Sequence, residues 1–320
     1  MNKYVVTGGA GFIGSAIVRG LLREGANKVT VVDNLLTGYR ENLDEIRDSV
    51  EFHEVDIRDY DATAAAVRGA EVLFHEAAIP SVPRSILDPV PSHDVNINGT
   101  FNVLRAAAAG GVRRVVYAAS SSAYGDTAVL PKVETMNPAP KSPYALQKLT
   151  GEYYASVFAS CFPIETVSLR YFNVFGPRQD PASQYSGVLS LFIKAILERR
   201  SPTIFGDGEQ SRDFTFVEDV AQLNLKAARA EGVSGKMFNA GNGGRITLNE
   251  VWDLLQKIEG ISLSANYGPS RAGDVRDSQA DIARAAAELG HDPQFSFEDG
   301  LRRTLEWYRQ SLRQSLNRAP

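Results

Sequence analysis

Cys161 is the only cysteine among 320 residues, so the chain can form neither an internal disulfide nor a multi-cysteine metal site. Its apolar helical setting predicts a core position, and a lone thiol suits a reducing cytoplasm. No stretch of about 18 apolar residues occurs, which excludes an ordinary membrane-spanning helix. The opening MNKYVVTGG meets glycines after too few apolar residues to form a signal-peptide core. Basic blocks are missing too: 34 Lys and Arg stand against 38 Asp and Glu, a formal charge of -4, and no nucleic-acid footprint emerges. An anionic ligand would need a local site. Internal repeats are absent, and short alanine runs at Ala106–Ala109 and Ala285–Ala287 suit close-packed helices. What remains is a soluble globular chain, expected in the cytoplasm, with no nucleic-acid or membrane partner and no metal.

The chain does have a regular alternation. Short apolar, β-branched runs at Lys3–Thr7, Lys28–Asp33, Val50–Val55, Glu71–His75, Arg114–Ala119 and Ile164–Arg170 predict buried strands. Between them, Ile13–Arg23, Ala62–Arg68, Asn98–Ala109 and Tyr144–Ala159 carry helical spacing. Strand and helix in turn predict a doubly wound α/β fold, a parallel sheet of the Rossmann type covered on both faces. After about residue 172 the pattern loosens, with Pro177, Pro181, Pro202, Gly206 and Gly208 as punctuation. The expected division is therefore a first domain over residues 1–171, rejoined by 213–242, and a smaller, irregular α/β lobe over 172–212 and 243–320.

The first predicted strand runs straight into TGGAGFIGS, where Gly9, Gly11 and Gly14 fit G-x-G-x-x-G, and Gly8, Gly11 and Gly14 fit a looser triple. Glycines let the chain turn tightly and approach a pyrophosphate, whose charge then meets the free N–H groups of the following helix. An ordinary strand-to-helix turn could carry the same glycines. The second strand, however, ends on Asp33, 19 residues after Gly14, where a carboxylate can bind a ribose 2′-hydroxyl and repel a 2′-phosphate. NAD is thus the expected cofactor rather than NADP. Asp56, after the third strand, suits either an adenine edge or a structural cap.

Residues 142–148 read SPYALQK. Pro143 suits a first helical turn, and the spacing of four stacks Tyr144 and Lys148 on one face. A surface pair is one reading; a proton-transfer pair is the other. Upstream, the strand RVVYAA empties into Ser120-Ser121-Ser122-Ala-Tyr124-Gly125, at the carboxyl end where an open parallel sheet exposes reactive side chains. Glycine loop, serine run and Tyr/Lys pair, in that order, resemble the short-chain dehydrogenase/reductase superfamily, specifically its extended branch acting on nucleotide sugars.

The resemblance implies roles. Tyr144 would take the proton of a sugar hydroxyl, Ser120 would hold that oxygen, and Lys148 with the nicotinamide cation would lower the phenol by about three pKa units, about 4 kcal/mol. Ser121 and Ser122 would touch substrate. Cofactor contacts are implied at Gly8, Gly11, Phe12, Ile13, Gly14, Asp33, Asn34, Asp56, Ile57, Ala77 and Ala78. Asn96, in the NINGT segment, would approach the nicotinamide, and Phe172, in LRYFN, its carboxamide. Asn173, Arg212 of GDGEQSRDF and Arg271 of RAGD look like diphosphate contacts and Asp274 of RAGD like a further substrate contact, while Val188, Leu189 and Phe205 align with uracil neighbours. A homodimer is implied through the helices that carry Phe101, Leu104, Leu149, Tyr153 and Val157.

Within that branch, 4,6-dehydratases place an Asp-Glu pair where Ser121 and Ser122 stand, and decarboxylases carry a nearby glutamate. The simplest remaining chemistry is C4 epimerisation of a UDP-sugar with NAD regenerated each cycle. Ser278 falls where glucose-restricted members carry tyrosine, leaving room for an N-acetyl group, and Ala77-Ala78-Ile79-Pro80-Ser81-Val82-Pro83-Arg84-Ser85 is most similar to the UDP-N-acetylglucosamine 4-epimerases. The expected substrates are UDP-GlcNAc and UDP-GalNAc, with UDP-Glc and UDP-Gal slower. Arg84 keeps UDP-glucuronate open. A simple nucleotide-sugar dehydrogenase or decarboxylase and a non-enzymatic NAD-binding regulator are the remaining alternatives.

Overall fold

The computed structural model describes residues 3–180, 187–270 and 275–318. Thirteen strands are described: β1 (Tyr4–Thr7), β2 (Val29–Asp33), β3 (Val50–Glu54), β4 (Val72–His75), β5 (Arg114–Ser120), β6 (Glu165–Tyr171), β7 (Val174–Phe175), β8 (Thr203–Phe205), β9 (Ser211–Arg212), β10 (Thr215–Phe216), β11 (Lys236–Ala240), β12 (Ile246–Thr247) and β13 (Asn266–Gly268). The helices are α1 (Phe12–Arg23), α2 (Tyr60–Val67), α3 (Val82–Leu87), α4 (Pro89–His93), α5 (Thr100–Ala109), α6 (Pro143–Cys161), α7 (Val188–Leu197), α8 (Val217–Arg229), α9 (Leu248–Glu259), α10 (Ala283–Leu289) and α11 (Phe297–Arg318).

Seven strands form one sheet in the order β11-β6-β5-β4-β1-β2-β3, and every pair in it is parallel. Parallel strands buried on both faces need apolar residues on both sides, which is why β2 reads VTVVD without alternation. The strand order reverses between β1 and β4, and that switch point opens the crevice where ligands bind in such sheets. One core cluster, including Ile17, Val18, Val220 and Leu223, covers one face; the other, including Val67, Val103, Leu104 and Phe158, covers the opposite face. A third cluster around Phe192, Trp252, Leu301 and Tyr308 forms the core of the second lobe. The chain returns to the sheet through α8, which packs on α1, and through β11 beside β6.

Local signals explain the helix starts. Ser142 accepts from Ala145 N at 3.2 Å and Pro143 fills the first helical position, so α6 begins where SPY predicts. Thr247 and Glu250 close a reciprocal capping box at α9. The helix expected from Asn98 starts earlier: α4 leads through a wide π turn over residues 94–99 into α5.

Three expectations are corrected by packing. Cys161 is exposed, because the last turn of α6 runs past the strip that covers the sheet, and Ser160 and Phe162 are exposed beside it. Leu104 and Leu149 are 0% and 5% exposed and pack inward, so they are unavailable to a partner. Phe101, Leu146, Tyr153 and Val157 remain on the outer surface of α5 and α6, at 38%, 53%, 55% and 53%.

Candidate active site

At the switch point lies a cavity of about 1070 Å³, running from the glycine loop to the second lobe. It is at the upper end of what one drug-sized ligand fills, so a dinucleotide and a nucleotide sugar side by side are a reasonable load. Gly8, Gly11, Phe12, Ile13 and Gly14 form one wall. Gly8 sits at φ +69°, and a Cβ there would come within 2.6 Å of Ala77 N, so the end of β4 closes directly on the loop. At Gly14 a Cβ would stand 2.2 Å from Gly8 O. No side chain caps α1, whose first N–H groups are left for an anion. Asp33 accepts from Ala10 N at 3.0 Å and Leu35 N at 2.8 Å, which aims its carboxylate and leaves lone pairs for hydroxyl donors. Burial raises its pKa, and the two backbone bonds oppose that.

Asn34, Ile57, Ala77 and Ala78 line the same cleft. Asp56 does as well, but its oxygens already take Arg58 N, Arg58 Nε, Arg58 Nη2 and Asn34 Nδ2, at 2.6 to 2.9 Å. The Arg58 bonds pull its pKa down to about 2. Of the two roles open to Asp56, the structural one is filled. Asn96 stands behind the wall rather than on it: its amide bonds the Ile79 backbone on both edges and Gln147 Oε1 at 2.9 Å. It shapes the loop after β4 instead of reaching into the cavity.

The serine run and α6 converge. Ser120, Ser121, Ser122, Tyr144 and Lys148 all line the cavity. Ser120 Oγ lies 2.8 Å from Ser122 Oγ and accepts from Ser122 N at 3.2 Å, and Ser120 is near enough to the Tyr144 phenol to favour its ionised form. Lys148 Nζ donates to Ala118 O at 2.8 Å. The phenol is not lowered by the protein alone: burial pushes Tyr144 up to about 12, Ser120 pulls the other way, and Glu76 adds to the rise. Burial also drives Lys148 down to about 8, which weakens the cation that was expected to act on Tyr144. Bringing the phenol from about 12 to neutrality takes about 7 kcal/mol, a demand that a positive charge brought beside the ring by a ligand would help to meet.

On the second lobe, Asn173, Val188, Phe205, Arg212 and Ser278 line the cavity, opposite Ser81 and Arg84. Asn173 (φ 26°) donates to Asp213 O and Ser278 Oγ, both at 3.1 Å. Phe172 also lines the cavity, from a buried position, with its ring 6.2 Å from that of Tyr124. Leu189 is a correction: it is 3% exposed and packs in the lobe's own core, because the helical period turns Val188 and Leu191 to the cavity instead. Arg271 and Asp274 lie outside the described residues.

Comparison with known proteins adds the family. Residues 4–241 match the NAD dependent epimerase/dehydratase family. The chain belongs to that family. Among solved structures, UDP-N-acetylglucosamine 4-epimerase from Methanobrevibacter ruminantium, in complex with UDP-N-acetylmuramic acid, is 36% identical with a TM-score of 0.92, covering 97% of this chain and 99% of that one. UDP-glucose 4-epimerase from Thermotoga maritima, with UDP-glucose, is 38% identical with a TM-score of 0.92 over 98% and 100%. UDP-glucuronic acid 4-epimerase from Bacillus cereus, in complex with UDP-4-deoxy-4-fluoro-glucuronic acid and NAD, is 31% identical with a TM-score of 0.90 over 97% and 99%.

As a member of the NAD dependent epimerase/dehydratase family, the chain uses NAD, and its geometry fits that group. The fit rests on the loop a Cβ would block at Gly8 and Gly14, and on Asp33 at the end of β2. Sequence reasoning missed several cavity residues. Gly38 is one: a Cβ there would meet Ala10 C at 2.9 Å and Asp33 Oδ2 at 3.0 Å, and no pattern in NLLTGYR marks it. Glu76, Lys141, Leu191, Thr203 and Gln210 are others. Glu76 carried the one available signal, an ionisable residue directly after an apolar strand.

Proposed function

We propose that the protein interconverts C4 epimers of UDP-sugars, with UDP-GlcNAc and UDP-GalNAc preferred and UDP-Glc and UDP-Gal slower. The observation that carries this reading is the convergence of Ser120, Tyr144 and Lys148 on one cavity, with serines rather than an acid pair at positions 121 and 122. Tyr144 takes the proton of the sugar's 4-hydroxyl, and Ser120, beside that phenol in the cavity, holds the same oxygen. When bound, NAD supplies a hydride acceptor that can return the hydride to either face of a 4-keto sugar. Arg212 and Asn173 on the cavity wall would hold the diphosphate, and Val188 and Phe205 on the same wall would flank the base. Ser278 supports the choice of sugar, since a hydroxymethyl on the wall leaves space for an N-acetyl group.

A second reading, UDP-glucuronate, is favoured by one feature: Arg84 on the cavity wall, a guanidinium able to meet a carboxylate. The exposed Phe101, Leu146, Tyr153 and Val157 support a homodimer through α5 and α6; Val157→Glu should then convert a dimeric mass in solution to a monomeric one. To test the reaction, the purified protein is incubated without added cofactor with UDP-GlcNAc, UDP-Glc or UDP-glucuronate, and each 4-epimer is sought by chromatography. Conversion of UDP-GlcNAc is expected. Conversion of UDP-glucuronate alone would transfer the assignment to Arg84, and no conversion with NAD added would overturn the epimerase reading.

A further inference from the structure

Glu76 follows β4 directly, and it lines the cavity together with Ser120, Tyr144, Lys148 and Tyr171. Its carboxyl is aimed. Tyr171 donates its hydroxyl proton to Glu76 Oε1 at 2.7 Å, and the Asn224 amide donates to that same hydroxyl at 2.8 Å. A strand and a helix thus hold the acid beside the reacting groups. The titratable groups around it are Lys148 and Tyr144 from α6, Tyr171 from β6 and Tyr117 from β5. His75, next in the chain, stays uncharged, because burial pushes it down to about 3. Lys148 is 5% exposed, donates to a neutral carbonyl, and lies 5.2 Å from the centre of the Tyr117 ring. A buried ammonium so placed calls for a counter-charge, and Glu76 supplies the one whose field reaches it among the described residues.

We propose that Glu76 is a positioning residue for charge: its carboxylate holds Lys148 as an ammonium and Tyr144 as a phenol, and so sets the pH at which proton transfer starts. The proposal rests on the reading of Tyr144 as proton acceptor, not on which sugar is bound. The signs follow from Coulomb's law. Glu76 raises Lys148 against the burial that lowers it to about 8, and it adds to the burial that raises Tyr144 to about 12. Glu76 itself, held at about 7 by burial, ionises more readily once a cation shares its cavity. Removing the carboxylate therefore lowers both neighbours.

The test reads ionisation of Tyr144 rather than turnover. NAD-loaded wild type, Glu76→Gln, Glu76→Leu and Glu76→Asp are titrated by tyrosinate absorbance, each against the same protein carrying Tyr144→Phe, which isolates that phenol. Gln and Leu should move the Tyr144 midpoint to lower pH by roughly half a unit or more, and Asp should leave it near the wild-type value. Tyr171→Phe, which leaves residue 76 in place but removes its donor, should shift the midpoint in the same direction through weaker ionisation of Glu76. An unmoved midpoint in the Gln and Leu variants, or a shift that follows side-chain size instead of charge, overturns the proposal. No sugar is present in this titration, so a failure of UDP-sugar conversion would count against the reaction and not against Glu76.

Discussion

Arg170 is 1% exposed and its guanidinium meets Glu152 with two bonds of 2.8 Å, one to each carboxylate oxygen. Arg170→Met would leave Glu152, itself 6% exposed, without its cation. Breaking a buried pair in this way costs about 3–5 kcal/mol, because the remaining charge is desolvated without compensation. Urea unfolding should show that loss as a lower midpoint with an unchanged slope. Adding Glu152→Leu to Arg170→Met should restore most of the stability, since an apolar pair of similar volume is often neutral. Function is expected to recover less: Arg170 also lies 4.4 Å from the centre of the Tyr124 ring, and the Tyr124 hydroxyl donates to Asn239 at 2.6 Å, fixing the turn that carries Ser120. A loss below about 1 kcal/mol in Arg170→Met would refute this account of the pair.

Tyr144→Phe removes the proposed proton acceptor with little change in volume; turnover should fall by about 10²–10⁴ while the bound NAD, measured after denaturation, stays at the wild-type level. Ser278→Tyr should abolish conversion of the N-acetylated substrate and spare UDP-Glc, and equal losses on both would refute the size argument. His75 is 1% exposed, bonds Thr7 at 2.7 Å and Thr100 at 3.0 Å, and is pushed down to about 3 by burial. Its unfolded pKa is near 6.5, so the unfolded chain binds a proton that the folded one refuses, and stability falls as pH drops from about 6.5 toward 3, by up to about 1.4 kcal/mol per pH unit. His75→Gln should flatten that acid limb in pH-dependent urea unfolding. Gly14→Ala places a Cβ 2.2 Å from Gly8 O; the loop must shift, so the purified variant should carry far less NAD and melt at a lower temperature.

Local chemistry was readable from the chain itself. Six of the sheet's seven strands, the glycine loop, Asp33 and the Tyr144/Lys148 spacing are each set within a few residues, by β-branched runs, by backbone freedom and by the helical period. The directions of side chains relative to distant elements were not. Leu189 reads as a base contact until the second lobe's core claims it; Leu104 and Leu149 read as partner surface until the sheet does; Cys161 reads as core until α6 overruns its cover. Asn96 is polar in any reading, yet only the loop after β4 turns its amide inward. Electrostatics depended most on the tertiary structure. Tyr144 and Lys148 can be paired by counting, but whether the lysine is charged and the phenol raised depends on burial and on Glu76, which Tyr171 and Asn224 bring from 95 and 148 residues further along the chain. Residue type fixed which protons could move here, and the three-dimensional field decides at which pH they do.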